Sequence, residues 1–240
     1  MKKTIVANWK MNLSVKESLS LAKKVNKMSS QNNIIICPDF LSLVYIKNKL
    51  KKINFKLGAQ NCAPDSFGSY TGEVCAKNLK DIGAEQVIIG HSERRNIFKE
   101  DSLMINKKIQ EALKNKLQVI LCLGENENEK KAKRTKQVVK KQLQDALKNI
   151  SNRDISQITI AYEPIWAIGS GKTPQAEEVS LLSKYIKDYI VNKYSKKIKV
   201  LYGGSVNLSN YSLFLDQTNI DGLLIGGASL KYSEFSKICR

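Results

Sequence analysis

Short apolar runs alternate with longer amphipathic segments from one end of the chain to the other. Eight runs are rich in aliphatic and β-branched residues and have the lengths of buried strands. They cover residues 4–9, 33–37, 56–60, 86–90, 118–123, 158–162, 199–202 and 221–225. Between them, apolar residues recur with the spacing of one helical face, most clearly at Val179, Leu182, Ile186 and Ile190. The pattern predicts a parallel sheet covered by helices.

Eight strand and helix units in 240 residues match a (β/α)8 barrel, which typically has ~250 residues. We therefore expect an α/β fold, one TIM barrel domain that spans residues 1–240; a doubly wound open sheet is the structural alternative. The segment 61–78 is longer than a plain connection between strand and helix needs, and such loops often have a function.

The composition is that of a globular protein, with 42% hydrophobic and 26% charged residues. We expect no membrane association and a cytoplasmic location, because no apolar run approaches ~20 residues and the N-terminus has no cleavage signal. The five cysteines form no C-x-x-C pair. This pattern favours reduced thiols over disulfides or a zinc site.

A net charge of +18 raises the possibility of nucleic-acid binding. The lysines are scattered, however, and the densest patch, within residues 130–141, leads into a helical pattern without aromatic neighbours. We interpret it as a solvated face and expect no nucleic-acid partner. A basic barrel that binds RNA and has an inactive site remains an alternative. A positive surface would also attract a small anionic substrate.

Residues 169–173, GSGKT, follow a predicted strand and precede a predicted helix, as a nucleotide-binding P-loop does. The first glycine of that motif would fall on Trp166, and an indole side chain cannot replace the backbone freedom of glycine. No apolar strand ends in a convincing magnesium-binding acid. Nucleotide binding is therefore the weaker interpretation of this segment.

Candidate catalytic residues follow three of the predicted strands, where barrel enzymes place their chemistry. His91 is the only histidine, which excludes a metal site made of several histidines. It precedes a plausible helix start, whose positive end would keep the imidazole neutral. Glu163 is fixed by Pro164 in extended geometry and could act as a base. With Lys10 and Asn8, these residues suit enolisation beside a carbonyl.

Two glycine pairs follow the last two strands, at Gly203-Gly204-Ser205 and Gly226-Gly227. Barrels frequently bind phosphate at this place through backbone N–H groups. We therefore expect an anion site here, to which Ser205 could add a hydroxyl donor.

Several motifs in register resemble the triosephosphate isomerase family over essentially the whole chain. They lie at residues 8–12, 58–61, 70–73, 90–95, 122–125, 162–169, 202–206 and 221–228. The resemblance implies interconversion of dihydroxyacetone phosphate and D-glyceraldehyde 3-phosphate, an isomerase reaction of glycolysis and gluconeogenesis. It also implies that no metal or organic cofactor takes part.

The resemblance assigns a role to each matching residue. Glu163 would be the base, His91 the neutral electrophile, and Lys10 and Asn8 would bind substrate and stabilise the enediolate oxygens, while Glu93 would support them. The implied phosphate-binding residues are Gly169, Ser170, Ser205, Gly226 and Gly227. The implied lid residues are Pro164, Ile165, Trp166, Ala167, Ile168, Gly169, Ser170, Gly171, Lys172 and Thr173.

The resemblance further implies a homodimer, in which the loop around Tyr70, Thr71 and Gly72 enters the partner subunit. Two departures from the family pattern concern the lid. Ser170 stands where the family often has threonine, and Pro174 follows Thr173 directly, so the second hinge is expected to be short.

Overall fold

Eight strands form one closed barrel in the computed structural model, which describes residues 2–168 and 171–240. The strands are β1 (Thr4–Asn8), β2 (Asn33–Cys37), β3 (Lys56–Ala59), β4 (Gln86–Ile89), β5 (Gln118–Leu123), β6 (Ile158–Tyr162), β7 (Lys199–Tyr202) and β8 (Gly222–Ile225). All neighbouring pairs are parallel, and β8 pairs with β1 to close the barrel. The predicted fold class is thus confirmed, and the open sheet is excluded.

Helices surround the barrel and connect its strands. In the described ranges they are α1 (Val15–Asn26), α2 (Phe40–Lys49), α3 (Ala76–Asp81), α4 (Ser92–Asn96), α5 (Ser102–Lys114), α6 (Glu127–Lys131), α7 (Thr135–Ala146), α8 (Asn152–Ile155), α9 (Ala176–Tyr194), α10 (Tyr211–Leu215) and α11 (Tyr232–Ile238). Two short 3-10 helices span Ile165–Ala167 and Gly227–Leu230. No helix in the part of the chain described is long and apolar enough to cross a membrane.

Local sequence explains where several helices begin. The side chains of Ser14, Asp39, Asp101 and Asn126 precede helices and accept hydrogen bonds from backbone N–H groups of the first turn. Such caps satisfy donors that have no partner within the helix, and each stabilises it by ~1 kcal/mol.

The predicted strand bounds are close to the observed ones. Four runs match the observed strands, and the other four are one residue too long, at residues 9, 60, 90 and 221. At residue 90 the reason is visible, because Gly90 has a φ angle of 74°. Glycine adopts this left-handed conformation without a steric penalty, and it turns the chain out of the sheet just before His91.

Apolar side chains fill both surfaces of the barrel wall. The inward-facing set forms its own cluster: Val6, Ile35, Cys37, Ile88, Ile120, Cys122, Ala161, Leu201 and Leu224. A larger cluster joins the outward-facing strand residues to the helices, for example Ile105 and Ile109 of α5. All five cysteines are free and buried, and burial raises the pKa of the Cys62 and Cys239 thiols to about 12.

The long loop between β3 and α3 is closed at its base and exposed at its tip. The N–H of Ala63 donates to the Val74 carbonyl at 2.8 Å, and the Tyr70 hydroxyl donates to Asp65 at 2.6 Å. Phe67 and Tyr70 remain exposed. The loop is therefore ordered at its stem and presents aromatic side chains outward.

Barrel closure gives the first testable prediction. A Cβ atom at Gly222 would lie 1.8 Å from the backbone oxygen of Thr4, its partner in β1. We expect Gly222→Ala to lower the free energy of unfolding by at least about 2 kcal/mol, since the two strands must separate locally to make room. Urea unfolding followed by circular dichroism, at one fixed protein concentration, would measure this change.

The matched control is Gly227→Ala, because a Cβ at Gly227 would have no atom within 4 Å. This variant should keep nearly the stability of the parent chain. Equal losses in the two variants would show that the close approach at the β1/β8 seam is not the cause.

Candidate active site

A pocket of about 590 Å³ lies at the mouth of the barrel formed by the carboxyl ends of the strands. It contains residues from both ends of the chain that the sequence places far apart. The predicted site residues that line it are Asn8, Lys10, His91, Glu93, Glu163, Ile165, Ile168, Ser205, Gly226 and Gly227. Gly169 and Ser170, predicted to bind phosphate, lie outside the described residues.

Glu163 is a buried carboxylate directly after β6. Its N–H donates to the Leu123 carbonyl at 2.8 Å, which continues the sheet by one residue. Its Oε2 accepts a hydrogen bond of 3.0 Å from the N–H of Ser92. Its Oε1 has no hydrogen-bond partner among the described residues, although His91 Nε2 lies 3.3 Å away. A buried acceptor left unpaired is costly, so this oxygen is available to a ligand.

His91 immediately precedes α4, as predicted. Its Nδ1 accepts a hydrogen bond from the N–H of Glu93 at 3.2 Å. An acceptor nitrogen carries no proton, so the neutral ring has its proton on Nε2. Because Nε2 is the atom nearest Glu163, His91 directs its N–H donor into the region of the pocket occupied by the carboxylate.

Lys10 has a backbone conformation that is unusual for a residue with a side chain. Its φ angle is 51°, its N–H donates to Asn8 Oδ1 at 3.1 Å, and its carbonyl accepts from Gln60 Nε2 at 2.8 Å. Gln60 also donates to the Cys37 carbonyl at 2.9 Å. Left-handed residues of this kind cluster at functional sites, where neighbouring contacts hold them.

Glu93 places the ammonium group of Lys10. The distance from Lys10 Nζ to Glu93 Oε1 is 2.5 Å, and Glu93 Oε2 lies 3.7 Å from His91 Nδ1. Both partners of the lysine pair are partly exposed, so the pair contributes little to stability. Its effect is positional, since it holds the cation beside the histidine at the mouth of the pocket.

Arg95 and Cys122 lie behind the carboxylate of Glu163. Arg95 donates to the carbonyls of Gly90 and Cys122, at 2.8 and 3.1 Å, and so joins the ends of β4 and β5. Burial raises the pKa of the Cys122 thiol well above its usual value, and the negative charge of Glu163 raises it further. The thiol therefore stays neutral beside the carboxylate.

In the expected anion site, the hydroxyl of Ser205 already has a hydrogen-bond partner within the protein. Ser205 Oγ donates to the carbonyl of Ala167, a residue of the predicted lid. Gly227 begins the second 3-10 helix, Gly227–Leu230, and a Cβ on Gly226 would lie 3.6 Å from Lys10 Cε. The turn after β8 thus lies beside the lysine that follows β1.

Glu125 is a functional candidate that the sequence reasoning missed. It is fully buried and accepts hydrogen bonds from the Tyr162 hydroxyl at 3.0 Å and from Trp166 Nε1 at 2.9 Å. Its carbonyl also accepts from the N–H of Ile165 at 3.0 Å. Glu125 therefore holds the first part of the predicted lid. The sequence contains one indication of its importance, because Glu125 ends the family motif at residues 122–125.

The segment between the predicted lid and α9 is short. Only Pro174 and Gln175 separate Thr173 from α9, which begins at Ala176. Within the predicted lid, Lys172 Nζ lies 3.2 Å from Glu127 Oε1. Trp166 lies in the first 3-10 helix, a conformation unlike the tight glycine turn that a P-loop requires.

Comparison with known proteins gives a consistent result along the whole chain. The family model described as triosephosphate isomerase matches residues 3–240. The triosephosphate isomerase of Alkaliphilus oremlandii is 43% identical over 242 residues, which are 98% of this chain and 98% of that protein. The triosephosphate isomerase of Dictyoglomus thermophilum is 42% identical over 246 residues, 100% and 99% of the two chains. The triosephosphate isomerase of Lawsonia intracellularis is also 42% identical, over 99% of this chain and 97% of that protein.

The contacts of Glu125 generate a second prediction. In Glu125→Gln the carboxylate loses its charge and one acceptor, while both neighbours, Tyr162 and Trp166, are donors. We expect the Trp166 resonance to shift or broaden in 19F NMR of protein labelled with 5-fluorotryptophan. Trp9, the only other tryptophan, is buried elsewhere and serves as internal reference.

Glu177→Gln is the matched control, since Glu177 is exposed in the first turn of α9. It should leave both resonances unchanged. An unaltered Trp166 resonance in Glu125→Gln would contradict the role of Glu125 in holding the lid.

Proposed function

Because the chain belongs to the triosephosphate isomerase family, we propose that Glu163, His91, Lys10 and Asn8 perform the reaction of that family at this pocket. The chain is an isomerase that interconverts dihydroxyacetone phosphate and D-glyceraldehyde 3-phosphate through an enediolate, a step of glycolysis and gluconeogenesis. The observation that supports the site assignment best is the convergence of four strand-end residues on one cavity.

Glu163 is the base in this proposal. It removes a proton from the carbon beside the carbonyl and returns it to the neighbouring carbon. Its carboxylate is buried and lines the pocket, so it can reach a substrate bound there. One oxygen of its carboxylate accepts the N–H of Ser92, and the other, which has no hydrogen-bond partner among the described residues, can approach the substrate carbon.

His91 is the electrophile and acts as a neutral ring. Its Nε2–H donates to the substrate oxygen that gains negative charge as the proton leaves. The ammonium of Lys10 and the amide of Asn8 stabilise the same developing charge. Glu93 contacts both Lys10, through its carboxylate, and His91, through its backbone N–H. Such preorganised donors usually make the largest contribution to catalysis at a site of this kind.

The phosphate group binds where the turns after β7 and β8 meet the lid. We assign it to Gly169, Ser170, Ser205, Gly226 and Gly227, and the lid spans residues 164–173. For Ser205 to bind phosphate, its hydroxyl must leave the carbonyl of Ala167. Movement of the lid and occupation of the phosphate site are thereby coupled, which excludes water once substrate is bound.

The remaining proposals concern the protein as a whole. Residues 1–240 act as one catalytic domain in the cytoplasm, with a triose phosphate as small-molecule ligand, with no metal or organic cofactor and with no nucleic-acid or membrane partner. Nucleotide binding at residues 169–173 and RNA binding by an inactive barrel both lack support, because the catalytic residues are intact and Trp166 takes part in a lid contact.

We also propose a homodimer. Large apolar side chains are exposed in the segments that follow β1, β3 and β4: Met11 is 94% exposed, Phe67 73%, Ile97 67% and Phe98 61%. Exposed apolar side chains that form one patch mark interaction surfaces. The loop with Tyr70, Thr71 and Gly72 would insert into the partner and cover Met11 and Phe98.

The catalytic proposal predicts a large effect of Glu163→Gln. Glutamine keeps the shape of the side chain but cannot accept the substrate proton, so kcat should fall by about 10²–10⁴. A coupled assay with D-glyceraldehyde 3-phosphate would measure turnover. NMR would follow exchange of the carbon-bound substrate proton with deuterium from solvent.

The exposed Glu177→Gln variant should retain the parent rates. Near-normal proton exchange in Glu163→Gln, with the variant folded by circular dichroism, would show that another group is the base.

The dimer proposal predicts that a charge on the loop disrupts assembly. In Phe67→Glu the carboxylate would have to be buried in the interface, so the variant should elute as a monomer of about half the parent mass. Its turnover should fall as well. Size-exclusion chromatography with light scattering at micromolar concentration gives the mass.

Leu181→Glu is the matched control, since Leu181 is 66% exposed on α9. It should keep the mass of the parent. A parent chain that is monomeric at this concentration would contradict the proposal directly.

A further inference from the structure

The amino-terminal mouth of the barrel, opposite the catalytic pocket, is polar. Side chains that are two positions apart in a strand point to the same face. Val6, Ile88, Ile120 and Leu201 fill the barrel interior, so the residues two positions earlier also point inward. These residues are Thr4, Gln86, Gln118 and Lys199.

They line a cavity of about 400 Å³, together with Lys56 at the start of β3 and Lys197 just before β7. The volume lies within the range of ~300–1,000 Å³ that is common for small-molecule sites. It is smaller than the catalytic pocket of about 590 Å³, and the two cavities share no lining residue.

The cavity carries positive charge without an internal counterion. Three lysines line it, and no carboxylate belongs to its lining in the described ranges. Lys56 Nζ lies 3.3 Å from Glu85 Oε2, but Glu85 is not part of the lining. Lys199 Nζ has a neutral neighbour, Thr4 Oγ1, at 3.4 Å. Like charges that surround one cavity repel each other, and an anion within it would relieve the repulsion.

Amide groups supply the remaining donors. Gln86 is 7% exposed, and its Nε2 donates to Gln118 Oε1 at 3.2 Å. Gln118 Nε2 lies 3.4 Å from Gln157 Oε1, a long contact that leaves this amide group able to turn towards a ligand. Lysine ammonium groups and amide N–H groups are common partners of phosphate oxygens.

We propose that this cavity binds a small anion that carries one or two phosphate groups, at a site separate from the catalytic pocket. Lys56, Lys197 and Lys199 supply the charge, and Gln86 and Gln118 supply directed N–H groups. Because the residues come from β3, β4, β5 and β7 and from the segment before β7, the anion would join strands on opposite sides of the barrel. Its binding would therefore stabilise the folded barrel.

Selective labelling can distinguish this site from the catalytic pocket, which has no glutamine in its described lining. In protein with 15N in the glutamine side chains, pyrophosphate should shift the amide signals of Gln86 and Gln118 in a saturable way. Potassium chloride at matched ionic strength should not do so. The apparent affinity should also fall as salt is raised.

Lys199→Met and Lys56→Met remove one charge each and keep most of the side-chain length. Each should weaken the response of Gln86 and Gln118 to pyrophosphate at least tenfold, while isomerase turnover confirms that the variant is folded. Lys24→Met, at an exposed position of α1, should bind like the parent. If Lys199→Met failed to fold, Lys56→Met would provide the same comparison.

Two results would overturn the proposal. One is the absence of any shift at Gln86 and Gln118 up to millimolar pyrophosphate. The other is an equal response in the parent and in both lysine variants, which would mean that these lysines only offset the negative ends of the surrounding helices.

Discussion

The pairing of β8 with β1 is the constraint on which the catalytic site depends. It brings the turn that contains Gly226 against the side chain of Lys10, although more than two hundred residues separate them in the chain. The seam tolerates no side chain at Gly222, whose backbone lies directly against Thr4. Closure therefore converts eight separate strand ends into one ring, and the ring is the geometry that the reaction requires.

Within this ring, two buried glutamates have different surroundings. Glu125 accepts hydrogen bonds from a tyrosine and a tryptophan and is fully occupied. Glu163 accepts one backbone hydrogen bond and keeps one oxygen unpaired among the described residues. The proposed roles follow this difference, because a carboxylate whose oxygens are hydrogen-bonded holds its partners in place, whereas an unpaired oxygen can accept a proton from a ligand. Burial alone would not have distinguished the two residues.

The two mouths of the barrel follow from the same alternation of side chains. The middle layer of the interior is apolar, and the layers at each end are polar. At the carboxyl end, residues at the strand ends and in the loops after them bring acids, bases and the proposed lid to the pocket. At the amino end the polar residues lie on the strands themselves, so their positions are fixed by the sheet. The proposed lid thus belongs to a loop, whereas most polar residues at the amino end belong to the sheet.

The sequence by itself determined the strand and helix order, the barrel, and the main catalytic candidates. Periodicity marks the elements, and Asn8, Lys10, His91 and Glu163 stand out because they lie at or just after the ends of predicted strands, within recognisable motifs. Only the tertiary structure decided how these residues relate. The approach of His91 Nε2 to Glu163, the left-handed Lys10 held by Gln60, and the hydrogen bond from Trp166 to Glu125 all join residues distant in the chain. Local patterns record which face a residue occupies, but hydrogen-bond partners across a closed barrel depend on register and distance, which no local pattern contains.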